Sequence, residues 1–229
     1  MEQLLAHERD TRSIGVRIRE KALLKRAEAV APLHRRRLRN DDFTVISDDC
    51  FGAEIYRHLG LPYNTPFVGG FMFAPCFLRI LTDLRGYLEG PVEWRKESRY
   101  EKVNEERAAG LAPAYPIAVL RDGAEIHYNH YEEREARERF ERRVPRINYD
   151  NLFIKTAADR NLWTIEELER FDALPYSNKL CVSGRDLPTV DCAVKVRWYS
   201  TNGTSLFSIT LAQFDLIGWL NGTVHPAPR

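Results

Sequence analysis

The stretch FTVISDDCFGAEIYRHLG, Phe43–Gly60, decides the fold. Phe43–Ser47 is a continuous apolar run rich in β-branched residues, the pattern of a short strand buried in a parallel sheet. Asp48–Gly52 turns at once, Ala53–Leu59 has helical spacing, and Gly60 suits the left-handed cap that ends a helix. A strand feeding directly into a helix is half of a βαβ unit, so the search outward is for its repetition.

Downstream the alternation recurs. Cys76–Leu88 has helical spacing at Phe77, Ile80, Leu81 and Leu84 and ends at Gly90-Pro91. Residues 92–112 are polar and charge-rich, and Tyr100–Asn104 within them reads as an irregular or edge segment. Pro116–Leu120 and Ala124–Tyr128 flank Arg121-Asp122-Gly123, a hairpin whose Asp-Gly supplies the positive φ angles of a tight turn. Tyr131–Arg143 is a charged helix anchored by Ala136 and Phe140. Asn151–Lys155 is a strand, Thr164–Glu167 opens a helix with a capping box, and Lys179–Ser183 and Val194–Tyr199 are further strands. Leu206–Leu220 closes the chain as an apolar helix. The expectation is an α/β three-layer sandwich with a mainly parallel sheet. Residues 61–75, LPYNTPFVGGFMFAP, are too apolar for a solvent loop and too broken for one regular element, so they should line something.

The first forty residues differ from the rest. They carry 11 Lys/Arg against 5 Asp/Glu, a net +6, whereas the other 189 carry 23 against 28, a net −5. They read as a basic helical arm, 1–40, with an apolar stripe of Ile14, Ile18, Ala22, Leu24 and Val30 that packs on a single α/β domain, 41–229. Pro32 and His34–Arg37 mark the arm's end. The arginine run suits an anionic partner such as a phosphate or lipid surface, or simply a helix end favoured by the C-terminal dipole.

A chain of 229 residues and 26.6 kDa, 44% hydrophobic and 29% charged, buries a real core, which excludes disordered, collagen-like and disulfide-stapled classes. A net charge of +1 removes any global electrostatic case for nucleic acid. Cys50, Cys76, Cys181 and Cys192 form no C-x-x-C pair and read as free thiols. No apolar run approaches a membrane span, and MEQLLAHERD lacks the apolar core of a secretion signal, so the expected location is the cytoplasm.

In open α/β sheets, reactive groups gather at the carboxyl ends of strands. Cys50 occupies such a position, where a helix start lowers a thiol's pKa and the turn amides of Phe51 and Gly52 offer an oxyanion site. His130, at the end of the predicted hairpin, is the histidine best placed to serve as its general base and then general acid. His127-x-x-His130 does not suit a metal, because strand alternation puts the two rings on opposite faces. Arg142, Arg143, Arg146, Asn148 and Asn151, with Lys155 behind them, would suit a phosphate or carboxylate. Equally, Arg146 would pair with Asp48 or Asp49 and pin two loops. The acidic pair would hold a divalent ion and a nucleotide sugar, but would oppose thiolate formation at Cys50 unless one carboxylate caps the helix.

Four ordered motifs, at Ser47–Ala53, Leu61–Gly69, His130–Ala136 and Arg146–Leu152, make residues 41–220 resemble a bacterial family of unknown function usually labelled exopolysaccharide biosynthesis protein. The turn after the first strand is also similar to that of capsule-biosynthesis acetyltransferases that bind coenzyme A and use a Cys-His pair. Here Asp48-Asp49 replaces Asn-Asn, Phe51 replaces Trp and Ala53 replaces Gly.

The resemblance implies acyl transfer from a coenzyme A thioester to a sugar hydroxyl through Cys50 and His130. Asp48, Asp49, Tyr63, Asn64, Tyr131, Arg146, Asn148 and Asn151 form the expected binding set, and no structural metal is expected. Two alternatives are a metal-dependent glycosyltransferase using Asp48 and Asp49, and a non-catalytic glycan-assembly partner presenting the aromatic segment 61–77. A small-molecule or glycan substrate is expected, with a membrane-surface or glycan-assembly contact through the basic arm and no nucleic acid.

Overall fold

A computed structural model describes residues 14–226. The parallel sheet has order β1-β5-β6-β7, formed by β1 (Thr44–Ser47), β5 (Leu152–Ala157), β6 (Asn178–Ser183) and β7 (Ala193–Lys195). Thr44 stands opposite Leu152 and Ser47 opposite Lys155, while Lys155 pairs with Leu180 across the next ladder. A second sheet of β2 (Glu93–Arg95), β3 (Ile117–Val119) and β4 (Glu125–His127) is antiparallel, in that order.

Because side chains alternate across a strand, the parallel sheet feeds two cores. Val45, Phe153, Ala157, Leu180 and Val182 face α2 (Phe51–Leu59), α8 (Gly203–Leu211) and α9 (Leu216–Leu220). α1 (Ile14–Arg37) and its following Leu38 pack on this layer. On the other face, Ile46, Ile154 and Cys181 meet α3 (Ala74–Thr82), α4 (Leu84–Leu88), α6 (Glu133–Arg143), α7 (Ile165–Asp172) and the antiparallel sheet. The architecture is the expected α/β sandwich.

The differences from the sequence reading have local causes. The helix read as 76–88 breaks at Asp83, whose φ of −153° ends α3 and whose carboxylate then caps Gly86. Leu206–Leu220 divides in the same way, with Asp215 capping α9. The polar stretch 92–112, whose Tyr100–Asn104 reads as an irregular or edge segment, instead supplies β2 and α5 (Glu101–Ala108), where Val103 and Glu106 are buried although the helix is polar. The Asp-Gly hairpin forms as read, with φ of 56° at Asp122 and 69° at Gly123. Thr164 and Glu167 make the capping box. Most of segment 61–77 from Thr65 onward is interior: Phe67, Met72, Phe73 and Phe77 are buried, and Phe71 stacks on His127 with ring centroids 4.8 Å apart, while Pro62 and Pro75 are exposed. It is therefore core between the two sheets and not a presented contact surface.

α1 runs through Pro32, which lies inside the helix, and ends at Arg37, so His34–Arg37 form its last turn as expected. Its buried stripe is also rotated from the one expected. Ala27 and Ala31 are buried with Leu23 and His34 partly covered, while Ile14 and Ile18 are exposed. Most of the arginine run serves docking: Arg35 Nε donates to the His58 carbonyl at 3.3 Å and Arg37 pairs with Asp215 at 3.0 Å. The part of the arm before Ile14 lies outside the described residues.

Candidate active site

The carboxyl end of β1 carries Asp48, Asp49 and Cys50 straight into α2. Alternation sends the two carboxylates to opposite faces of the sheet, and each meets its own partners. Asp49 Oδ1 accepts from the Phe51 amide at 2.9 Å and from Ser47 Oγ at 2.8 Å, so it caps the first turn of α2. Its Oδ2 takes Lys155 Nζ at 2.7 Å and Arg160 at 3.3 Å. Asp48 Oδ2 accepts from Trp163 Nε1 at 2.8 Å and Thr156 Oγ1 at 2.9 Å. Both aspartates and Lys155 are fully buried.

Charge follows from this wiring. Burial alone would raise the Asp49 carboxyl, but Lys155 and Arg160 hold it down to about 2. Asp48 is pushed up, first by burial and then by the charge of Asp49. Two cations beside two carboxylates keep the cluster near neutrality, which is how charges so deep are tolerated. Arg146 takes no part in it, contrary to the sequence expectation.

Cys50 stands at the mouth of this cluster. Its Sγ lies 3.8 Å from His130 Nε2, so the two residues paired from the sequence meet. The His130 loop is set by Gly69, whose carbonyl accepts the His130 amide at 3.3 Å. Gly69 has φ of 87°, and a Cβ there would fall 2.2 Å from the Tyr131 ring, so a side chain at 69 would displace that loop. On the other side Cys50 abuts the first residue of α8, where a Cβ on Gly203 would sit 3.1 Å from the Cys50 Cβ. The first residues of α2 and α8 thus meet at Cys50.

The thiol is nevertheless not a standing thiolate. Burial, with Asp49 next, pushes its pKa up to about 11, overriding the helix starts and the nearby Arg160 and Lys155. A nucleophilic role for this thiol would require its proton to leave as it attacks, and His130 is the group in contact with the sulfur that could take it. Of the expected oxyanion donors, the Phe51 amide is already spent on Asp49. Gly52, at the second helical position, has no acceptor within the helix.

The remaining expected site residues divide. Tyr131 adjoins His130, with Arg139 stacked on its ring at 4.6 Å. Tyr63 packs beneath Arg143 and against Tyr56. Asn64 donates to the Phe43 carbonyl at 2.6 Å, toward the amino end of β1. Asn148 and Asn151 donate to the Asp42 carbonyl at 3.1 and 2.8 Å, and Arg146 is exposed just before them. That group precedes β5 and so lies at the amino ends of the parallel strands, opposite Cys50. A run placed before a strand and a run placed after one look alike until the strand's direction in the sheet is known.

Residues the sequence reading missed lie in the loops after β5 and β7. Arg160, Asn161, Trp163 and Tyr199 approach the aspartate cluster. Asn161, Leu162 and Trp198 hold positive φ angles of 54°, 64° and 61°, a strained backbone for residues with side chains. Leu162 and Trp198 are also exposed, 42% and 54%, so the rim around the carboxyl end offers apolar surface. Lys155, grouped from the sequence with the arginines and asparagines before it, turns instead to Asp49, as a charge embedded in the apolar strand Leu-Phe-Ile-Lys-Thr-Ala demands a buried partner.

Fold and site together define a three-layer α/β protein with a thiol–imidazole pair at the carboxyl end of its parallel sheet, backed by a buried aspartate–lysine–arginine cluster. Residues 22–221 match the family described as Domain of unknown function (DUF1919), and the chain belongs to that family. An uncharacterized protein of Haemophilus influenzae (strain ATCC 51907 / DSM 11121 / KW20 / Rd) is 32% identical over 200 residues, covering 81% of this chain and 87% of that protein. The match begins within α1, so the later part of the arm belongs to the family region.

Proposed function

We propose that this protein is a cysteine-dependent acyltransferase whose covalent intermediate is a thioester on Cys50. The contact between Cys50 Sγ and His130 Nε2 carries the reading. His130 accepts the thiol proton through Nε2 as sulfur attacks the donor's carbonyl carbon. The tetrahedral intermediate collapses as the donor's thiol leaves with the proton returned by His130. An acceptor hydroxyl, deprotonated in turn by His130, then attacks the Cys50 thioester and releases the thiol.

A coenzyme A thioester is the donor we propose, because exchange between thioesters is nearly isoenergetic and the neighbourhood suits phosphate. Beside the first turn of α8, a cavity of about 190 Å³ is lined by Arg17, Lys21, Thr204 and Ser205 together with Glu20. Thr204 directly follows the glycine that touches Cys50. A glycan hydroxyl as acceptor, in exopolysaccharide assembly on the cytoplasmic side, completes the proposal. The metal-dependent glycosyltransferase alternative is less well supported: Lys155 and Arg160 already hold Asp49, and Trp163 and Thr156 hold Asp48.

The test is peptide mapping by mass spectrometry after incubation with acetyl-coenzyme A. The expected result is one acetyl group on Cys50, with the buried Cys76, Cys181 and Cys192 unmodified as internal controls. His130→Ala should slow the acylation about 100-fold or more, the usual size of a general-base contribution. Acetylation that persists in Cys50→Ser at another residue, or none from any acyl thioester, would overturn the reading.

A further inference from the structure

The outward face of α1 is the largest feature that neither the fold nor the site explains. The helix packs through Leu23, Ala27, Ala31 and His34, yet its opposite side repeats apolar residues at helical spacing. Ile14, Ile18 and Leu33 are 68%, 63% and 57% exposed, and Ala22 between them is exposed too. At 100° per residue these four fall within about 100° of arc, and Lys25 and Arg36 project from within the same arc. Over Ile14–Arg37 the helix carries eight Lys/Arg against two Glu. Leaving aliphatic groups in water along one stripe of a helix, with cations beside them, marks a surface that meets a partner.

We propose that this face lies on an anionic lipid bilayer, with Ile14, Ile18 and Leu33 entering the headgroup boundary and Lys25 and Arg36 meeting lipid phosphates. Charge complementarity selects that occupant. A second copy would bring Lys25 and Arg36 against equally basic faces, and a nucleic acid offers phosphate but nothing for three exposed aliphatic side chains. A bilayer surface supplies both at once, and an interfacial helix needs only apolar residues on one side with basic residues beside them. No described helix is long and apolar enough to cross a membrane, so the contact is one of lying on the surface. Arg19 of the same helix stacks on Trp198 at 4.4 Å, which ties α1 to the rim beside Cys50.

The experiment is sedimentation of the full chain with vesicles of phosphatidylcholine alone or mixed with phosphatidylglycerol. Binding is expected only to the anionic vesicles and should weaken as salt rises. Ile14→Asp/Ile18→Asp and Lys25→Glu/Arg36→Glu should each reduce partitioning at least tenfold, given about fivefold for each basic residue lost, with unchanged thermal melts. No partitioning of the wild-type chain overturns the proposal. So does equal binding to both vesicle types, duplex DNA binding that survives Ile14→Asp/Ile18→Asp, or self-association in ultracentrifugation that this variant abolishes. None of these readouts depends on acyl transfer.

Discussion

Lys155→Met tests the buried cluster most directly. Lys155 is fully buried, donates to Asp49 at 2.7 Å and lies 4.4 Å from the centre of the Phe51 ring. Methionine keeps the length and apolar contact of the stem but removes the cation, leaving a buried Asp49 carboxylate with only Arg160, at 3.3 Å, to answer it. Breaking one side of a buried ion pair costs about 3–5 kcal/mol, and the surviving arginine places the expectation at about 3 kcal/mol at pH 7. For a chain of this size that lowers the melting temperature by about 6–12 °C.

The pH dependence separates this account from simple loss of packing. In the wild type the folded Asp49 pKa of about 2 lies below its ordinary 3.8. Its contribution is therefore full above 3.8 and is lost as pH falls toward 2. In Lys155→Met burial dominates and the folded pKa rises above 3.8, so the carboxylate is penalised at neutral pH and relieved as acid protonates it. The gap between the two proteins, measured by urea unfolding at pH 7 and pH 4, should shrink by at least 1 kcal/mol. A variant as stable as the wild type at pH 7, or a gap that is the same at both pH values, refutes the reasoning.

Asp49→Asn removes the negative charge that, after burial, holds the Cys50 thiol up, and it leaves Lys155 and Arg160 facing the sulfur. Cys50 should alkylate with iodoacetamide several-fold faster at pH 8, its rate profile moving below about 11; an unchanged profile would refute the assigned influence of Asp49. In the α1 contact, His34 Nδ1 and His58 Nε2 are 2.8 Å apart, and His58 is held down to about 4 by burial and then by His34. A histidine kept neutral in the fold stabilises it above 6.5 and loses that contribution as pH falls through 6.5 toward 4. The melting temperature should drop across that window, and His58→Gln should flatten the drop.

Local chemistry determined much of this protein. The β-branched run at Phe43–Ser47, the Asp-Gly hairpin and the Thr164 capping box form where the sequence places them, because each depends on residues within a few positions of one another. The strand-to-helix turn likewise put Cys50 at the carboxyl end of β1, and the hairpin's length brought His130 within reach. Tertiary structure decided what depends on direction and depth. Alternation of β5 against β1 gave Asp49 to Lys155 and Asp48 to Thr156 and Trp163, contacts spanning more than a hundred residues. Strand direction sent Arg146, Asn148 and Asn151 to the far end of the sheet. Packing also chose which stripe of α1 turned inward, since several rotations of a basic helix with scattered apolar residues are nearly equivalent until a partner surface exists. The pKa of Cys50 belongs to this second class: a helix start alone would lower it, and only the burial that folding imposes raises it.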